Sequence, residues 1–189
     1  MRLLVRVAMT VLLLGLVPAG HGLAQSDQAK QVQTAELDRL FDDLSAARDE
    51  ATARSVADRI WRIWTQPDDP ALAARMAEII TGGGLAGPVA QLPLLDDLVA
   101  DYPDYAEGWN QRATVRFLRG DYDGALADIE QVLKREPRHF GALAGQALIY
   151  HTQGKGEEAL AAMKAALDIH PFLPERTLFP QLPPPPTKS

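Results

Sequence analysis

The chain has 189 residues, 47% of them hydrophobic and 23% charged, enough for one domain with a real core and too few for two comfortable ones. Its net charge of −6 and the lack of any basic block leave no electrostatic footprint for nucleic acid or for an anionic membrane surface. There is no cysteine, which excludes a disulfide framework and a lipid-modified N-terminal cysteine, so packing alone must hold the fold together.

The first segment reads as an address. Arg2 and Arg6 precede the apolar run from Val7 to Val17, then come Pro18, two glycines and "GLA" ending at Ala24. That order is a secretory signal peptide over residues 1–24, with a mature chain from about Gln25 and periplasmic localisation in a Gram-negative cell. The run is too short for the roughly 20 residues of a spanning helix, so no stable membrane insertion is expected after cleavage. Losing Arg2 and Arg6 takes the net charge from −6 to −8.

Residues 25–105 read as degenerate helical pairs. Leu37, Leu40, Phe41 and Leu44 keep helical spacing, as do Val56, Ile60, Ile63 and Trp64, and a break near 47–52 makes them an initial pair. Asp69 is a plausible N-cap with Pro70 in the first turn, and Leu72, Met76, Ile79 and Ile80 form the next stripe. "TGGGLAGP" breaks it, "LPLLDDLVADY" supplies a further short helix, and Pro103 closes the unit.

An internal repeat follows. A shift of 34 residues lays 106–139 over 140–173, matching Ala113 to Ala147, Gly120 to Gly154, Ala125 to Ala159, Leu133 to Leu167 and Pro137 to Pro171. Small residues let paired helices approach, glycine accepts the left-handed cap conformation, and proline stops the second helix. Both segments resemble tetratricopeptide repeats, with Trp109, Ala113, Ala125, Ile129 and Pro137 in the signature slots of the first. Leu143, Ala147, Tyr150, Ala159, Met163 and Pro171 fill those of the second. The resemblance implies an all-α, right-handed solenoid of antiparallel helix pairs, with two clear repeats and one or two degenerate pairs before them. Residues 174–189 form a proline-rich tail, expected to be extended, with polyproline II over Pro183 to Pro186. No polar capping helix follows the last repeat, so Phe172, Leu173, Leu178 and Phe179 should fold back over the end face, or that face should mediate self-association.

No enzymatic constellation emerges. "GGG" at 82–84 has no following Lys-Ser/Thr, so it reads as a turn rather than a phosphate cradle. The acidic neighbours Asp42–Asp43, Asp68–Asp69 and Asp96–Asp97 point in different directions on a helix and read as solvated faces and caps. His139, His151 and His170 lack an i, i+4 partner, so neither a metal nor a cofactor is expected.

The chain is similar to small secreted tetratricopeptide proteins of alphaproteobacteria, which implies a non-catalytic envelope scaffold for a protein or peptide. By that resemblance the concave groove is lined by Asn110, Thr114, Phe117, Ala144, Leu148 and His151. No lysine stands near Asn110, which argues against a clamp for a terminal carboxylate and favours an apolar or helical segment. Arg112 and Arg116 occupy slots where the family has Leu and Tyr, and a structural ion pair with Asp128 and Glu130 is expected. An anion-binding spot is the competing reading. An accessory subunit using its C-terminal face for self- or partner association is the alternative function.

Overall fold

The computed structural model describes residues 20–81 and 87–186. The bulk of the expected signal peptide, the glycine run at 82–84 and the last three residues lie outside them. The described residues form eight α-helices: α1 (Gly20–Ser45), α2 (Glu50–Thr65), α3 (Pro70–Thr81), α4 (Leu92–Asp101), α5 (Ala106–Leu118), α6 (Tyr122–Arg135), α7 (Phe140–Thr152) and α8 (Gly156–Ile169). Two 3-10 turns, Pro88–Gln91 and Pro174–Leu178, precede α4 and follow α8. No strand occurs among the described residues.

Local chemistry sets the boundaries. The Asp69 carboxylate accepts the Ala71 and Leu72 amides at 2.8 and 3.0 Å and starts α3, and Asp121 accepts the Gly124 amide at the start of α6. Helices α5 and α7 end alike, 34 residues apart. Gly120 has φ +77° and Gly154 φ +74°, and the amides of Asp121 and Lys155 reach back to the carbonyls of Arg116 and Tyr150. That left-handed cap with a six-to-one bond is what the repeated glycine provides. Behind the caps, Ala113 and Ala147 of the first helices and Ala125 and Ala159 of the second are all buried, which lets α5 lie against α6 and α7 against α8.

Three apolar clusters result. Leu72, Met76, Ile79, Leu95 and Leu98 join α3 and α4 to Val115 of α5. Ala113, Ile129, Val132 and Ile149 join α5 and α6 to α7. The third runs against chain order: Leu40, Phe41, Leu44, Ile60 and Trp64 of α1 and α2 merge with Phe140, Ala144 and Met163 of the last repeat. Helix α1 touches α8, and α2 touches α5 as well as α3. The first pair therefore spans from the middle of the array to its end. Arg138 ties this docking with an ion pair to Asp38 at 2.8 Å and a guanidinium 4.2 Å from the Phe41 ring centre.

The tail corrects one expectation. Residues 174–178 are a 3-10 turn rather than extended chain, although the segment holds many prolines. The turn sits one 34-residue step beyond the start of α7, in the place of a next repeat's first helical turn. Leu173 and Phe179 are buried in the end face, Phe172 is half-buried, and Leu178 stays 48% exposed. The turn supplies the cap that the sequence lacks as a helix.

Candidate functional site

Helices α5 and α7 wall a cavity of about 300 Å³. Asn110, Thr114 and Phe117 line it from α5, Ala144 and Leu148 from α7, and Ile129 and Glu175 complete it. Leu118, 55% exposed, forms its lip. Five of the six groove residues expected from sequence are thus brought together. His151 is not among them: on the last turn of α7 its ring packs on Phe179 of the tail at 5.4 Å, drawn there by the returning chain.

Asn110 is committed inward rather than to the groove. Its amide nitrogen donates to the Glu107 carboxylate at 3.1 and 3.3 Å, because a buried acid one turn away is the stronger acceptor. The Thr114 hydroxyl donates to the Asn110 carbonyl at 3.0 Å. The free groove wall is therefore chiefly apolar.

Glu107 belongs to a buried polar cluster. It also accepts from Gln111 at 2.5 Å and stands 3.0 Å from Nε2 of His139. His139 caps α7, its Nδ1 accepting the Ala142 amide at 3.1 Å, so Nε2 carries the proton and donates to Glu107. Trp64 stacks on this imidazole, 4.0 Å between centroids and 7° from parallel. Tyr105 donates to the Trp64 carbonyl at 2.5 Å, and burial, reinforced by the Glu107 charge, holds its phenol well above its ordinary pKa. Every polar atom named is partnered, which fixes the docking of α2 on the array.

Arg112 and Arg116 both reach Asp128, which is buried. Arg112 donates through Nε and Nη2 at 2.9 and 2.7 Å and through Nη1 to Asp96 at 3.0 Å. Arg116 lies 3.0 Å from Asp128 and donates to the Gly124 carbonyl at 3.1 Å. Burial disfavours the Arg112 charge, but its hydrogen bonds to Asp128 and Asp96 and their negative charges outweigh it and its pKa rises. Glu130 is a correction to the sequence reading. Two residues along α6 from Asp128, it points away to solvent and pairs with Lys134 at 2.8 Å, whose hydrogen bond lowers its pKa.

The sequence reading passed over Glu107, Trp61, Gly141 and Glu175. Gly141 carried the one usable signal, a glycine in the first turn of a helix where alanine would serve as well, which points to a close approach. The approach is Trp61, whose ring atoms would lie 2.9 Å from a Cβ at Gly141.

These features define a helical-repeat protein whose paired helices wall an open groove. Residues 110–174 match the tetratricopeptide repeat family. A TPR repeat-containing protein of Rhizobium etli is 40% identical over 135 residues, which cover 71% of this chain and 66% of the relative, just under two thirds of its length. Residues 110–174 are thus tetratricopeptide repeats, units that suggest a protein–protein interaction scaffold. No helix among the described residues is long and apolar enough to cross a membrane.

Proposed function

We propose that the protein is a non-catalytic scaffold of the cell envelope that seats an apolar or helical protein segment in the groove between α5 and α7. The observation that carries this reading is the cavity of about 300 Å³ walled by Phe117, Ala144 and Leu148, with Leu118 exposed at its lip. Apolar side chains entering it gain roughly 25 cal/mol per Å² of surface removed from water. Because Asn110 and Thr114 bond within α5, specificity comes from shape and apolar contact more than from hydrogen bonds to the ligand backbone. Arg2 and Arg6 ahead of the apolar run from Val7 to Val17 support export to the periplasm. The alternative, association through the C-terminal face, is less favoured because Leu173 and Phe179 already cover that face.

The test is capture of partners from envelope extract by the wild-type protein and by a Phe117→Ser, Leu148→Ser double variant that keeps its helical circular dichroism. Loss of specific partners from the variant supports the groove. Undiminished capture by the folded variant contradicts it.

A further inference from the structure

Asn110 lines the groove and is only 8% exposed, and the two ends of its carboxamide have different fates. The nitrogen donates to the Glu107 carboxylate at 3.1 and 3.3 Å. The oxygen accepts no hydrogen bond among the described residues. Nor is it sealed inside the protein, since the buried side-chain oxygens without a partner there belong to Gln153 and Glu175. Its open side is the groove.

The two ends cannot exchange. His139 accepts the Ala142 amide through Nδ1, so its Nε2 carries a proton toward Glu107. Gln111 donates to the same carboxylate at 2.5 Å. Glu107 therefore meets donors only, and turning the Asn110 amide over would set its oxygen against a carboxylate with no proton between them. A chain of bonds that begins at the α7 cap thus holds the Asn110 oxygen toward the groove.

The rest of the lining has no side-chain donor to spare. The Thr114 hydroxyl gives its proton to the Asn110 carbonyl at 3.0 Å, and Phe117, Ile129 and Leu148 are apolar. The result is an apolar cavity of about 300 Å³ with an unpartnered acceptor in its wall. Pockets that enclose small molecules start at about 300 Å³, so an anchor side chain enters here while the rest of the segment lies outside. Its complement is a large apolar body with one donor and no acceptor, and among side chains that is tryptophan, whose indole N–H only donates. Phenylalanine or leucine would bury the oxygen unpaired. Tyrosine or a backbone amide would bring an acceptor the groove cannot serve, and lysine or arginine a buried charge. The same chain makes the required pairing elsewhere, where Nε1 of Trp109 donates to the Pro103 carbonyl at 2.9 Å.

We propose that the segment seated in the groove is anchored by a tryptophan, with its ring between Phe117 and Leu148 and its indole N–H donating to Oδ1 of Asn110. This deepens the groove reading and rests on it. A terminal carboxylate is refused at the same point, because the Asn110 amide proton it would need is spent on Glu107.

The test titrates the full chain with N-acetyl-tryptophan methylamide and with its benzothienylalanine counterpart, which replaces the indole N–H by sulfur and keeps the ring shape. The readouts are the NMR signals of the Gly145 backbone amide and the Asn110 side-chain amide. The tryptophan amide should shift both saturably. The isostere should bind about tenfold more weakly, the effect of leaving one buried acceptor unpaired. Asn110→Ala should bring the two affinities together. A Cβ at Gly145 meets only Cδ1 of Ile129, at 3.8 Å, so Gly145→Leu should fill the cavity in a folded protein and abolish both responses. Equal affinity of the wild-type chain for the two amides overturns the proposal, whether or not Asn110→Ala folds. So does a preference that survives Gly145→Leu. Probe-free signals that move with protein concentration would make a second copy the occupant, which also overturns it. The groove reading fails separately, as capture that survives the Phe117 and Leu148 substitutions.

Discussion

Replacing Asp128 by alanine removes a buried carboxylate that two guanidiniums share. Arg112 loses bonds of 2.9 and 2.7 Å and Arg116 a contact of 3.0 Å. Removing one partner of a buried ion pair typically costs about 3–5 kcal/mol, because the other charge is left buried. The low end applies here. The Arg112 side chain is 12% exposed and keeps Asp96, and Arg116 keeps the Gly124 carbonyl. A cost of about 3 kcal/mol lowers Tm by roughly 6–12 °C for a chain of this size. Thermal denaturation followed by circular dichroism measures it. Adding Arg112→Leu, which places leucine in the slot where the family has it, should recover most of the loss, since apolar replacement of a buried pair is often neutral or better. A fall in Tm below about 3 °C for Asp128→Ala alone, or no recovery in the double variant, would refute the structural role. So would an Arg112→Ala variant with unchanged Tm and abolished ligand binding.

Gly141→Ala should fail to give the stabilisation that Gly→Ala brings where the backbone conformation allows it, because the new methyl meets Trp61 at 2.9 Å; a raised Tm with unchanged tryptophan fluorescence would contradict the close contact. His170 makes stability pH-dependent: its folded pKa is lowered from 6.5 to about 4 by burial, so the unfolded chain binds the extra proton between those values. Its contribution is present above about pH 6.5 and lost as pH falls toward 4, and His170→Gln should flatten that limb of a denaturant-midpoint profile. Phe179→Ala should cost about 3 kcal/mol from the buried ring and lower solubility as the end face opens, whereas an unchanged denaturation midpoint would mean the tail does not cap the array.

How much of this was legible in the sequence depends on sequence distance. Caps and helix pairs are local, so Gly120, Gly154, Pro137 and the alanines announce them by spacing alone. The groove followed from register within one repeat, which is why Phe117 and Leu148 fell on the cavity together. The misses are contacts that cross repeats. Nothing in the periodicity of α2 says that Trp64 stacks on His139, 75 positions away, or that the first pair docks on the last. Asn110 kept its groove-facing position, but its hydrogen bond was decided by Glu107, which helical spacing shows and polarity alone makes look solvated. Glu130 failed for a simpler reason. A position two residues from Asp128 cannot share its helix face.

The central claim, that the groove between α5 and α7 receives a partner segment, is tested most directly by site-specific photocrosslinking in cells. A benzophenone side chain at Phe117 reports on the groove, and one at Glu130, on the solvent side of α6, is the control. The account predicts discrete protein adducts from position 117 and none from position 130. Adducts at position 130 with none at position 117 would contradict it.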